Sequence, residues 1–223
     1  MPPTRLRPTA SFATSAVLVG DPGRALLLAQ ELLEQPKMSN HARGLWGYSG
    51  QDDDGIELTI QSTGMGGPSA ALVLADLDQL GVERVVRVGS CAAAGRGGEL
   101  LLVERALAGS GSASAFGLAE GEAALPDPQL TERLGLALGE GACRGVVASF
   151  DAPRHPADLP PGADAADMQT AAVLAQAKQL GIAAAATLVV VEGEGGAAID
   201  DVARDDAAKR AGRAAANALL TLD

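Results

Sequence analysis

The chain has 223 residues, of which 47% are hydrophobic, 20% charged and only 2% aromatic, with a formal net charge of −11. A chain of this size buries about 70% of its unfolded surface, and this apolar content excludes a disordered polymer. The acidity excludes general attraction to nucleic acid or to an anionic membrane surface, and five aromatic residues cannot build a base-stacking platform.

Alanine supplies 45 residues, which favours close packing of helix backbones on a sheet. Ala16–Val19 is a short apolar run ending at Gly20 and reads as a buried strand. Pro22 to Glu34 reads as a helix, with Asp21 as N-cap and Pro22 at its first position. Trp46–Tyr48 and Ile56–Gln61 read as a strand pair around the turn Asp52-Asp53-Asp54-Gly55. Gly67 to Leu80 is helical and stops at Gly81; Arg84–Val88 and Leu100–Leu107 are strands. Asp127–Leu138 is a helix closed by Gly139, Arg144–Phe150 a strand, and Ala166–Leu180 a helix stopped by Gly181. Ile182–Val191 is a strand that is apolar but for Thr187, too short to span a bilayer, and Asp200–Leu220 is a long helix with acidic residues at its positive end.

This alternation predicts an α/β fold in three layers: a central mixed, mostly parallel twisted sheet flanked by helices. No internal repeat or long linker divides it, so residues 1–223 are expected to form one domain, with 1–14 as an extended N-terminal segment. The N-terminus has no apolar targeting core, and Cys91 and Cys143 show neither metal spacing nor a disulfide framework. Both features fit a reduced, cytoplasmic setting. Ser110–Gly121 and the proline-rich Ala152–Ala165 follow strands, where α/β sheets place ligands.

Three segments carry chemistry. In Val19-Gly20-Asp21-Pro22-Gly23-Arg24 a strand runs into a helix N-terminus, which offers free N–H groups to an anion beside the Arg24 guanidinium. An ordinary capped turn would look the same. In Arg87-Val88-Gly89-Ser90, Arg87 lies near the end of an apolar strand, where burial requires an anionic ligand or an internal carboxylate. Thr63-Gly64-Met65-Gly66-Gly67-Pro68-Ser69 is a glycine-rich strand-to-helix turn with neither P-loop nor Rossmann spacing; a plain packing turn is the alternative.

Taken together and in this order, these segments resemble the nucleoside phosphorylase superfamily of the hexameric purine nucleoside and uridine phosphorylase type. Arg43 before Tyr48, and Asp167-Met168-Gln169-Thr170-Ala171-Ala172 in place of Glu-Met-Glu-x-Ala, extend the likeness from about Val17 to Leu220. The resemblance implies phosphate held by Gly20, Arg24, Arg87 and Ser90, with Arg43 reaching in from a neighbouring subunit of a dimer or trimer of dimers. It implies a nucleoside bordered by Met65, Cys91, Ala92, Phe150, Asp167 and Met168, with position 169 holding the sugar hydroxyls. The implied reaction is phosphorolysis of a purine or pyrimidine nucleoside to free base and sugar 1-phosphate. It needs no metal and no organic cofactor; phosphate is a co-substrate.

The chain departs from the family pattern at four places. Gln169 replaces the ribose-binding Glu, Ala92 replaces a Gly, and no N-terminal His is present. Glu192-Gly193-Glu194-Gly195-Gly196 stands where purine enzymes carry Ser-Asp, so Glu192 or Glu194 is the candidate acid toward the leaving base. The loop Ala152–Gly162 holds Arg154 and His155 but lacks the Gln by which uridine enzymes read a pyrimidine. These departures also fit a repurposed family member that keeps the fold and the anion site without turnover.

Overall fold

The computed structural model describes residues 5–193 and 196–220. The strands are β1 (Ser15–Val19), β2 (Glu34–Asn40), β3 (Gly47–Gln51), β4 (Glu57–Ser62), β5 (Arg84–Ala93), β6 (Leu100–Gly109), β7 (Ala123–Ala124), β8 (Cys143–Phe150), β9 (Ala165–Asp167) and β10 (Ala183–Glu192). The helices are α1 (Pro22–Leu32), α2 (Gly67–Gln79), α3 (Gly111–Ser114), α4 (Pro128–Leu138), α5 (Thr170–Leu180) and α6 (Asp201–Leu220).

The strands form one mixed sheet in the order β10-β6-β8-β9-β5-β1-β4-β3-β2. β10 also pairs with β5, so β5, β9, β8, β6 and β10 close into a ring. Parallel pairing holds the centre, where β4, β1, β5 and β10 run side by side. Antiparallel pairing appears at the margin β4–β3–β2 and where β9 and β10 complete the ring. This is the mixed sheet expected from the strand–helix alternation.

Alternation along β1 divides the core. Ala16 and Leu18 face one layer with Val73 and Leu74 of α2 and Leu174 of α5, while Val17 and Val19 face Leu28 of α1 and Leu219 of α6. Helices therefore cover both faces; β1 is buried throughout and β10 along its middle.

Three element boundaries differ from the sequence expectation. The helix opened by Pro22 stops at Leu32, because Leu33 is already extended and Gln35, ahead of Pro36, has φ 46°. Glu34–Asn40 then pairs with β3 as an edge strand. Ala166 and Asp167 belong to strand β9, between β8 and β5, and the helix begins only at Thr170. β5 runs on to Ala93, five residues past the expected end.

Candidate functional site

The site lies at the C-terminal tips of β1, β4 and β5, where their parallel run ends in glycine-rich turns. A cleft of about 320 Å³ opens there, at the lower end of the range for small-molecule sites. Gly20, Arg24, Met65, Arg87, Ser90, Cys91, Ala92, Asp167, Met168, Gln169 and Glu192 all line it, so residues from five separated stretches converge.

One end of the cleft is built on α1. Asp21 Oδ1 accepts the Arg24 N–H at 2.8 Å and caps the helix. The Arg24 side chain turns inward and donates to Ser90 Oγ at 3.4 Å. Among the described residues no carboxylate lies within ion-pair distance of this guanidinium. Burial, opposed by Asp21 and reinforced by Arg87, pulls its pKa below the ordinary arginine value. Asp21 and Asp205 offset that desolvation only from beyond ion-pair distance.

Arg87 differs. Its Nη2 pairs with Asp167 Oδ2 at 2.8 Å, its Nη1 donates to Gln169 Oε1 at 2.6 Å and its Nε to Thr170 Oγ1 at 3.0 Å. The side chain is buried, and so is Asp167. Asp167 also accepts from Ser149 Oγ at 2.5 Å and from Thr170 Oγ1 at 2.6 Å. Of the two partners that a buried Arg87 requires, the internal carboxylate is present. Two of its five N–H groups remain uncommitted, and the residue still forms part of the cleft wall.

The spacing Arg-x-Gly has a steric cause. A Cβ on Gly89 would stand 2.6 Å from Arg87 Nη2 and 2.5 Å from Leu188 Cδ2. Residues 87 and 89 share a strand face, so only a bare Cα leaves room for the guanidinium. In the next turn Gly64 has φ 72°, a conformation that L side chains rarely adopt.

At the far end, Glu192 lines the cleft with a side chain 35% exposed and lies 3.7 Å from His155 Nε2. Arg154 also lines it and stacks over the Phe150 ring at 4.8 Å. Phe150 itself is not among the lining residues; it stands behind Arg154 and against Gly109. Arg43 is exposed, with φ 59°, and does not line the cleft of its own chain. Glu194 lies outside the described residues. Cys91 is buried, its thiol donating to the Val189 carbonyl. No group of three or more His, Cys, Asp or Glu that could hold a metal ion occurs among the described residues, and no helix among them is long and apolar enough to cross a membrane.

Sequence reasoning missed Thr63, Ser149 and Thr170, which tie Gln169, Asp167 and Arg87 into one buried network. Small hydroxyl residues carry no motif signal. Their partners become visible only once β8 and β9 are paired.

A half-buried guanidinium, a buried Arg–Asp pair and two methionines thus share one cleft at the tips of a mixed α/β sheet. The model of the phosphorylase superfamily matches residues 14–222, and the chain belongs to that family. A segment of 83 residues is 42% identical to a purine nucleoside phosphorylase of the DeoD type from Oceanobacillus iheyensis, covering 37% of this chain and 35% of that protein. A segment of 81 residues is 38% identical to the protein of the same name from Caldanaerobacter subterraneus subsp. tengcongensis, covering 36% of this chain and 34% of that one. These matches thus span about a third of the curated relatives' length. The fold is that of the purine nucleoside phosphorylase from Toxoplasma gondii solved in complex with immucillin-H. That structure superposes with a TM-score of 0.83 over 94% of this chain and 91% of its own, at 22% identity.

Proposed function

We propose that this chain catalyses the phosphorolysis of a purine nucleoside. The observation that carries the reading is Arg24, a guanidinium drawn out of water, short of counter-charge and turned toward Ser90 in a cleft that can take an anion. Phosphate docks against Arg24, the Ser90 hydroxyl and the backbone at Gly20, with the free N–H groups of Arg87 beside them. One phosphate oxygen attacks the anomeric carbon as the carbon–nitrogen bond to the base breaks. The bonding pair leaves with the base, which takes up a proton. Glu192, next to His155, is the acid positioned to deliver it. Met65 and Met168 supply the apolar wall for the sugar. The purine assignment draws on the names of the related segments and on the missing pyrimidine-reading Gln.

Arg43 belongs to the same reading as a residue lent to a neighbouring subunit's phosphate. Its exposure and its φ of 59° support that role. The binding-only alternative draws on the internal pairing of Arg87 with Asp167.

The test is release of free base from inosine, adenosine and uridine with and without phosphate. Phosphate-dependent release from a purine nucleoside is the expected result. Phosphate binding without release from any nucleoside would favour the alternative, and release without phosphate would remove the role given to Arg24.

A further inference from the structure

In the family pattern that this chain resembles, the position of Gln169 holds the sugar hydroxyls. Here its amide is engaged chiefly within the chain. Oε1 accepts from Arg87 Nη1 at 2.6 Å and from Thr63 Oγ1 at 3.4 Å. Nε2 donates to the carbonyls of Gly64 at 2.5 Å and Gly66 at 3.1 Å. Both amide hydrogens and one acceptor lone pair are thus taken within the chain, and Thr63 Oγ1, whose one hydrogen also faces the carbonyls of Val19 and Gly64 at 3.1 Å, stands against the other. The residue is buried, at 3% exposure.

The surrounding acceptors are occupied as well. The Gly66 carbonyl also accepts from Ala70 N at 3.2 Å. Asp167 is wholly buried and bonded by Arg87, Ser149 and Thr170. Of the other lining carboxylates, Asp21 caps α1 and Glu192 lies beside His155.

We infer that Gln169 is a positioning residue that straps the Gly64–Gly66 wall onto Arg87, and that the sugar is read by the apolar Met65 and Met168 rather than through its secondary hydroxyls. The substrate class is thereby widened to nucleosides whose sugar lacks both the 2′- and the 3′-hydroxyl. The sugar part of this inference rests on the proposed nucleoside site; the strap does not. A carboxylate at 169 could not make the strap, since two carbonyl oxygens face the Nε2 position and an ionised carboxylate has no hydrogen to donate to either.

Two measurements on the full-length chain test it. The first compares kcat/KM for inosine and 2′,3′-dideoxyinosine at saturating phosphate. Values within about threefold of each other are expected, whereas a site built to bond the hydroxyls rejects the analogue by about 10⁴-fold. Discrimination above a hundredfold would overturn the inference while leaving the phosphorylase reading intact. No release from either nucleoside would overturn that reading, and the sugar specificity with it. The second measurement is hydrogen exchange at amides 64–67 in Gln169→Glu and Gln169→Met against wild type. Exchange faster by about tenfold or more in both variants, confined to that turn, is the signature of a lost strap. Unchanged exchange would overturn the strap whatever the enzymology gives. In the active enzyme, Gln169→Glu should lower both kcat/KM values together; a selective gain with inosine would show that position 169 does face the hydroxyls.

Discussion

Arg24 and Arg87 occupy one cleft and yet answer to different partners, so they predict opposite behaviour on truncation. Arg87→Ala strands the buried Asp167 carboxylate, and removing one partner of such a pair costs about 3–5 kcal/mol. Its thermal midpoint should therefore fall well below that of the wild type. Arg24→Ala removes a cation that has no carboxylate partner, so its midpoint should stay level or rise. Its apparent phosphate affinity should drop by about tenfold or more, given the strength of charge-assisted hydrogen bonds. Thermal unfolding together with phosphate saturation curves checks both; a large loss of stability in Arg24→Ala would mean that its counter-charge had been misread. Gly89→Ala should behave like a milder Arg87 variant, since the added methyl displaces either the guanidinium or Leu188 at a cost of about 1–3 kcal/mol. The cysteines separate in a similar way. Burial, with Asp167 in second place, pushes the Cys91 thiol up to about 12, while Cys143 is exposed. Native protein should show one thiol to a thiol-specific reagent and denatured protein two. Above about pH 8.5, the value of an unfolded thiol, the unfolded chain releases a proton that native Cys91 keeps. That residue's contribution to stability is thus complete below this pH and lost as the pH climbs toward 12. The alkaline fall in thermal midpoint should be shallower in Cys91→Ala than in wild type, and equal slopes would contradict the buried-thiol assignment.

Helix starts were the most legible elements, because they are written in local chemistry. Asp21-Pro22 and Asp127-Pro128 place an N-cap and a proline in register, and both caps accept the expected backbone N–H. The strand tips of the site were legible for a related reason: glycine at 64 and 89 marks places where a side chain has no allowed conformation or no room. Besides the two-residue β7, two strands were not legible. Glu34–Asn40 is a largely exposed edge with a proline, so it shows no apolar period. Ala165–Asp167 has only three residues, and alanine favours a helix unless tertiary pairing overrides it. That second miss hid the Arg87–Asp167 ion pair, because only β9 brings Asp167 up to β5 and β8. Helix packing offers an independent check at this scale. Gly212 of α6 meets Leu28 of α1 so closely that an added Cβ would stand 2.6 Å from Leu28 Cδ2. Alanine has the better helix propensity by about 1 kcal/mol, so Gly212→Ala would stabilise an isolated helix. Here the overpacking term of about 1–3 kcal/mol should prevail. Chemical denaturation is expected to show a net loss of stability, and a net gain would mean that α1 moves away freely.

The closed ring of β5, β9, β8, β6 and β10 fixes the cleft across the whole molecule. β5 takes part both in the ring and in the open parallel sheet, so the two halves of the site cannot drift apart without breaking it. What the ring does not supply within one chain is a wall over Met65, which is 87% exposed although it lines the cleft. Met38 and Leu72 are also exposed large apolar side chains. Under the proposed function a second subunit covers the cleft and contributes Arg43, which makes a prediction that no single-chain explanation shares. Arg24→Ala and Arg43→Ala should each be nearly inactive as homo-oligomers. In a mixed oligomer, a site with intact Arg24 can receive an intact Arg43 from the Arg24→Ala neighbour. With reciprocal sites and random equimolar reassembly, about a quarter of the sites regain both guanidinium groups. Activity assayed after mild dissociation and remixing should rise to that fraction of the wild-type value. If the mixture stays at the level of its components while reassembly is verified by mass, Arg43 does not act across an interface and the cleft is complete within one chain.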